Sequence, residues 1–84
     1  MNVIVYSTNT WPWCVRVKDY LKQNNIEFKE FNVAEHHEAA MEMIQKTGQR
    51  AVPVIDVDGN IVIGFNKEKL DKLLGLQWLK KSPL

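Results

Sequence analysis

A short hydrophobic run followed closely by a helix pattern constrains the fold of this chain more than any other feature. The run, Asn2–Tyr6, is rich in β-branched residues and has the length of a buried strand. Pro12 suits the first turn of a helix, and apolar residues recur at helical spacing after it, which predicts a helix over Pro12–Asn24. Ile26–Asn32 is a second strand candidate, so the three elements predict a right-handed βαβ unit with parallel strands. The predicted apolar face of the helix holds Cys14, Val17 and Leu21.

A second amphipathic segment follows the βαβ unit. Helical periodicity over Glu35–Thr47, with Gly48 as a C-terminal stop, predicts a second helix. Its predicted buried face consists of Ala40, Met43, Ile44 and Thr47.

The C-terminal half contains a hairpin and a capped helix. Strand patterns at Pro53–Val57 and Ile61–Ile63 flank Asp58-Gly59, which favours a two-residue turn between antiparallel strands. Asn66 is a good N-cap for a final helix. The element order β-α-β-α-β-β-α predicts an α/β fold with a mixed four-stranded sheet flanked by helices. The face predicted for the final helix holds Leu70, Leu73, Leu74 and Gln77.

Length and composition limit the function classes. We expect the 84 residues to form one domain over 1–84, although 76–84 is harder to place. Eleven Lys and Arg balance ten Asp and Glu, which argues against a nucleic-acid partner. No apolar run approaches the roughly 20 residues that span a bilayer, and residues 1–10 lack the pattern of a signal peptide. A single cysteine, Cys14, excludes an internal disulfide or a cysteine-rich zinc site, so we expect a reducing, cytoplasmic location.

The residues with the most informative chemistry lie between the first strand and the first helix. A helix N-terminus stabilises a thiolate through its free N–H groups and its partial positive charge. A cysteine there, with another one helical turn later, can open a disulfide and resolve the intermediate. In this chain Trp11 holds the first position and Cys14 the second.

Together these segments resemble the glutaredoxin branch of the thioredoxin superfamily, in particular the small glutaredoxin-like and ribonucleotide-reductase-associated redoxins. The resemblance covers about Asn2–Gly75 and implies the thioredoxin-like fold. The family's Cys-Pro-aromatic-Cys motif aligns with Trp11-Pro12-Trp13-Cys14, its Val-Pro with Val52-Pro53, and its C-terminal part with Gly64-Phe65-Asn66.

The resemblance implies a thiol–disulfide oxidoreductase, but the chain departs from the family at the nucleophile. In the family the first cysteine attacks a disulfide and the second resolves the mixed disulfide. Trp11 has no ionisable proton, so we expect the chain as written to be impaired or inactive. Cys14 is expected to be a buried resolving thiol; a substitute nucleophile or an intermolecular disulfide is the alternative.

Three explanations for Trp11 stay open. It can be a deliberate substitution, or a natural loss that leaves a non-catalytic binding module. It can also be a misread codon, because UGG differs by one base from the cysteine codons and from UGA, which can encode selenocysteine.

The resemblance also implies a substrate site. Pro53 is expected to be cis, with the backbone at Val52 and Pro53 pairing with an extended substrate such as glutathione. Arg50 is expected to meet a glutathione carboxylate or to be an ordinary surface charge. The remaining residues assigned to substrate binding are Pro12, Trp13, Gly64, Phe65 and Asn66.

Partners and cofactors follow from the same resemblance. Asn66-Lys67 stands where glutaredoxins often carry an Asp pair, which shifts weight toward a flavoprotein thioredoxin reductase as the reductant, with glutathione as the alternative. We expect a protein disulfide as the substrate, no tightly bound cofactor and no metal, since adjacent His36 and His37 chelate poorly on a helix. A monomer is expected, with dimerisation through an exposed Trp11–Trp13 patch as the alternative.

Overall fold

The computed structural model describes residues 2–8 and 12–75. The predicted tail at 76–84 and the predicted nucleophile position, Trp11, lie outside the described residues. The element order is β-α-β-α-β-β-α, as predicted. The elements are β1 (Val3–Ser7), α1 (Pro12–Gln23), β2 (Lys29–Asn32), α2 (His37–Thr47), β3 (Val54–Val57), β4 (Asn60–Ile63) and α3 (Lys67–Leu74).

The four strands form one mixed sheet in the order β2-β1-β3-β4. Strands β1 and β2 are parallel, which confirms the predicted βαβ unit. Strand β3 is antiparallel to β1 and to β4, and Asp58-Gly59 forms the turn of the predicted hairpin. The α/β architecture expected from the sequence is therefore present.

Hydrophobic clusters lie on both faces of the sheet because strand side chains alternate between the faces. On one face, Val5 of β1 packs with Leu21 of α1 and Leu70 of α3, and all three are fully buried. On the other face, Tyr6 packs with Met43 of α2. Burying a side chain such as leucine contributes about 1.5–3 kcal/mol, so α1, α2 and α3 are all held by the sheet.

The predicted buried face of α2 was wrong in part. The structure buries Ala39 and Met43, whereas Ala40, Ile44 and Thr47 are only partly buried. Residues 39 and 43 are four apart and form one row along the helix, and that row faces the sheet. Two consecutive alanines make the neighbouring rows equally apolar in sequence, so periodicity could not choose between them.

Five strand boundaries and two helix boundaries differ from the predictions. Strand β1 covers Val3–Ser7 rather than Asn2–Tyr6. Pairing of β2 begins at Lys29 rather than Ile26, because the Ile26 N–H donates to the Leu21 carbonyl at the end of α1. Helix α1 ends at Gln23, one residue early, and α2 begins two residues late. Strand β3 begins at Val54 rather than Pro53, and β4 one residue early at Asn60.

The cap of α3 agrees with its prediction. The Asn66 side chain accepts a hydrogen bond from the Lys69 N–H at 3.2 Å. Leu70 and Leu74 are buried and Leu73 is partly buried. The helix ends at Leu74 because Gly75 takes a left-handed conformation, with φ of 74°. Gln77, predicted on the same face, lies outside the described residues.

A cluster of polar side chains joins α2 to the sheet. The Lys46 Nζ donates to Asp56 Oδ2 at 2.7 Å and to the Tyr6 hydroxyl at 2.8 Å, and Tyr6 donates to Glu42 Oε1 at 2.7 Å. Burial alone would lower the pKa of Lys46, but the bonds to Asp56, Tyr6 and Glu42 outweigh it and raise that pKa. Burial raises the pKa of Tyr6. The cluster therefore favours a charged lysine and a neutral tyrosine.

Within 2–8 and 12–75, no helix combines the length and the apolar composition needed to cross a membrane.

Candidate active site

Three segments of the chain meet at one edge of the sheet. Strand β1 runs toward this edge and α1 begins beyond it at Pro12. Strand β3 is antiparallel to β1, so Pro53 enters the sheet at the same edge. Strand β4 runs back to this edge and ends at Ile63, opposite Val54. Sheet topology alone therefore brings residues near 12, 53 and 64 together.

A groove lies where the three segments meet. The Val52–Pro53 peptide bond is cis, as the family resemblance implied. The Gly64 N–H donates to the Pro53 carbonyl at 2.8 Å, which fixes the end of β4 beside the proline. The groove has a volume of about 220 Å³. It is lined by Trp13, Val52, Pro53, Gly64 and Phe65, all of them residues predicted for the substrate site.

The wall of the groove on the α1 side is aromatic. The Trp13 and Phe65 rings are tilted against each other with centroids 6.3 Å apart. Trp13 is 49% exposed, so its ring presents apolar surface to solvent. Such a wall offers an apolar contact to a ligand in the groove.

Cys14 lies on the opposite side of α1 from solvent. It is fully buried and forms no disulfide. Val17 and Leu21, on the same helix face, are also fully buried, so packing of α1 on the sheet fixes the thiol in place. The burial expected of Cys14 is confirmed; its role as a resolving thiol stays a prediction.

Three other predicted site residues occupy different surroundings. Arg50 is exposed and lines a depression against α2, beside Met41 and Ile44, rather than the groove. The Asn66 side-chain oxygen is engaged in capping α3. Pro12 is exposed at the first position of α1. The structure thus places Trp13, but not Arg50, among the groove-lining residues.

An ion pair lies next to the groove edge, at the end of β1. The buried Ser7 hydroxyl donates to Glu30 Oε2 at 3.0 Å, and Lys18 Nζ lies 2.6 Å from the same oxygen. The hydrogen bond from Lys18 holds the pKa of the Glu30 carboxyl below its usual value. This contact fixes α1 against β2 and was not anticipated from the sequence.

A row of aromatic and basic side chains beside the groove was not predicted from the sequence. The Arg16 guanidinium carbon lies 4.8 Å from the centre of the Trp13 ring. Tyr20 contacts Phe65 with centroids 5.5 Å apart, and Lys67 Nζ lies 5.4 Å from the Tyr20 ring. The signal was present in part, because Trp13 and Arg16 are three residues apart on a helix.

No group of three or more His, Cys, Asp or Glu side chains in residues 2–8 and 12–75 is placed to hold a metal ion. His36 and His37 are both exposed at the start of α2.

Comparison with known proteins agrees with this geometry. A glutaredoxin-like 8.6 kDa protein of the rubredoxin operon of Clostridium pasteurianum is 50% identical over 70 residues, which cover 83% of this chain and 93% of that protein. A variant of the thioredoxin-like protein BC3987 superposes with a TM-score of 0.85 at 35% identity, over 89% of this chain and 96% of the other.

A third similar protein is the glutaredoxin-like NrdH-redoxin of Escherichia coli, described as having a thioredoxin-like activity profile. It has a TM-score of 0.76 at 25% identity and covers 87% of this chain and 95% of its own. The glutaredoxin family model matches residues 3–62. The fold is therefore the thioredoxin-like fold, and the chain belongs to the glutaredoxin family of the thioredoxin superfamily.

Proposed function

We propose that this chain is a thiol–disulfide oxidoreductase scaffold whose chemistry depends on the residue at position 11. The observation that carries the proposal is the groove around cis-Pro53, open to solvent and lying at the start of α1. An extended disulfide-bearing segment can lie along the backbone at Val52 and Pro53. Trp13 and Phe65 then supply the apolar wall.

With cysteine or selenocysteine at position 11, the reaction proceeds in two displacements. The residue 11 anion attacks one sulfur of the substrate disulfide, forms a mixed bond and releases the other sulfur as a thiolate. The Cys14 thiolate then attacks residue 11, releases the second substrate sulfur and leaves a bond between positions 11 and 14. The substrate gains two electrons, and a reductant returns two electrons to the protein.

With Trp11 the first displacement has no nucleophile, because an indole has no thiol to ionise. Burial of Cys14 supports the view that it does not take over the attack, since an attacking sulfur must reach the substrate. We therefore propose that the chain as written binds its substrate but turns over poorly or not at all.

The reductant is proposed to be a flavoprotein thioredoxin reductase rather than glutathione. Lys67 begins α3 where an acidic side chain would receive the amino group of glutathione, so that acidic partner is missing. The thioredoxin-like activity described for the Escherichia coli NrdH-redoxin supports this choice. A monomer acting in the cytoplasm on protein disulfides fits the same proposal.

The test compares the chain with Trp11→Cys and with the matched control Trp11→Ser, which removes the indole without adding a thiol. Each is assayed for reduction of insulin and of a glutathione mixed disulfide, with thioredoxin reductase or glutathione as the electron source. We expect turnover from Trp11→Cys alone, faster with the reductase. Turnover by the unmodified chain would mean that Cys14 is the nucleophile.

A non-catalytic binding module is the second candidate, and the absence of any cysteine besides Cys14 favours it. If Trp11→Cys fails with both electron sources while the groove still binds a peptide, this second candidate replaces the first. The codon at position 11 and the intact mass of the protein from its source organism distinguish a tryptophan from a selenocysteine.

A further inference from the structure

We propose that Arg16 recognises a carboxylate at the rim of the groove. It would select partner proteins that carry an acidic side chain close to the disulfide cysteine. This inference rests on the proposed function, because the partner is the disulfide-bearing protein of that proposal.

Arg16 is held next to the groove by an aromatic contact. Its guanidinium carbon lies 4.8 Å from the centre of the Trp13 ring, and Trp13 lines the groove. Trp13 lies one turn before Arg16 on α1, so the charged group points toward the groove end of the helix. Stacking on a ring restricts the guanidinium without using its N–H donors.

The charge of Arg16 is not neutralised within the described part of the chain. Lys18, Lys46 and Lys67 each have a carboxylate within 3.2 Å of the Nζ atom. For Arg16 no such ion pair is found among residues 2–8 and 12–75. Asp19, on the following turn of α1, lines a cleft beside the groove together with Arg16, but the two side chains form no ion pair. The five guanidinium donors can therefore meet a ligand.

The surface beyond the groove fits a peptide longer than glutathione. Phe65 lines both the groove and a cleft of about 360 Å³, so the two adjoin at this side chain. In that cleft Lys67 pairs with Asp71, Nζ to Oδ2 at 3.2 Å, and its charge is offset. Tyr20 extends the aromatic row away from the groove. A peptide chain lying on this row would bring a side-chain carboxylate to Arg16, where a two-pronged charge-assisted bond can form.

The test measures binding to the chain as it exists, by fluorescence polarisation at about 0.15 M salt. Two labelled peptides of the same length carry one S-methylated cysteine flanked by glutamates or by glutamines. They are titrated with the unmodified chain, with Arg16→Gln, and with the matched control Lys29→Gln. Lys29 Nζ also lies over an aromatic ring, 5.3 Å from that of Phe31, but on the edge strand β2, away from the groove.

We expect Arg16→Gln to weaken binding of the glutamate peptide about tenfold, the loss of one charge-assisted contact, and to leave the glutamine peptide unchanged. Lys29→Gln should change neither affinity. Arg16→Lys should restore only part of the loss, because an ammonium cannot make the two-pronged bond.

Equal affinity for the two peptides, binding of neither, or equal losses for Arg16→Gln and Lys29→Gln would overturn the inference. If oxidised glutathione displaces the glutamate peptide, and this competition depends on Arg16 in the same way, the carboxylate that Arg16 binds belongs to glutathione. That result would also overturn the inference. Turnover by Trp11→Cys is judged separately, with insulin as the substrate, so a failure here leaves the proposed function standing if that variant reduces insulin.

Discussion

Removing the charge of Lys46 tests the polar cluster that joins α2 to the sheet. The substitution Lys46→Met keeps most of the side-chain length and leaves Asp56 without its cation, 2.7 Å away. The Asp56 side chain is only 8% exposed, and what it keeps is the hydrogen bond from the Gly59 N–H at 2.7 Å. Breaking a buried ion pair on one side costs about 3–5 kcal/mol.

The expected loss lies at the lower end of that range, about 3 kcal/mol, because the Lys46 side chain is itself 28% exposed and the pair is partly solvated. For a chain of this size, that loss lowers the melting temperature by about 15 °C. Tyr6 contributes to the loss as well, since its fully buried hydroxyl gives up the bond from Lys46.

Urea unfolding followed by circular dichroism measures the free energy of unfolding, and an unchanged slope against urea confirms that only stability has changed. Lys29→Met is the matched control, because Lys29 lies over the Phe31 ring without an ion pair among the described residues. We expect it to change stability by less than about 0.5 kcal/mol. Equal losses for the two variants would refute the assignment of the cluster as a stabilising contact.

A double-mutant cycle isolates the pair itself. Asp56→Asn keeps the oxygen that accepts from the Gly59 N–H but removes the charge. If Lys46 and Asp56 stabilise each other, the double variant loses less than the sum of the single losses, by about 1–3 kcal/mol. Additive losses would assign the effect of Lys46→Met to its other contacts.

Three further substitutions, with Val15→Ala as a control, probe the core, a helix cap and pH dependence. Leu21→Ala, at a fully buried position, should cost about 2–5 kcal/mol in urea unfolding, whereas Val15→Ala, at a position 44% exposed, should cost under about 0.5. Asn66→Ala removes the cap of α3 and should cost about 1 kcal/mol, measured the same way. The hydrogen bond from Lys18 lowers the pKa of Glu30 from its ordinary 4.5. The contribution of this ion pair to folding stability is therefore present above pH 4.5 and is lost as the pH falls through the pKa that Glu30 has in the folded protein. Glu30→Gln should therefore make the free energy of unfolding fall less steeply as the pH is lowered below 4.5. A fall as steep as that of the unmodified chain would contradict the assignment of this pH dependence to Glu30.

The sequence predicted the elements well where one residue type sets local geometry. Asn66 caps α3, Asp58-Gly59 turns the hairpin, and Pro12 begins α1, each by a preference that acts over a few residues. The cis bond at Pro53 was implied only by resemblance to the family, since local preference favours trans.

Contacts between distant parts of the chain could not be read from periodicity. Tyr6 and Lys46 are 40 positions apart, and their hydrogen bond exists only because α2 crosses this face of the sheet. Arg50 illustrates the same limit at the site. It precedes Val52 by two residues, yet the chain turns between them, and its side chain lines the depression against α2 while Val52 lines the groove.

Binding and chemistry are separable in this fold because they depend on different residues. The groove is assembled by the bond from the Gly64 N–H to the Pro53 carbonyl and by contact of the Trp13 and Phe65 rings. Each of these contacts is defined without residue 11. A change at position 11 that restores a thiol can therefore act on a groove already held in place, and Trp11→Cys would report on chemistry rather than on assembly of the site. A peptide affinity that is equal in Trp11→Cys and Trp11→Ser is the result that this separation requires.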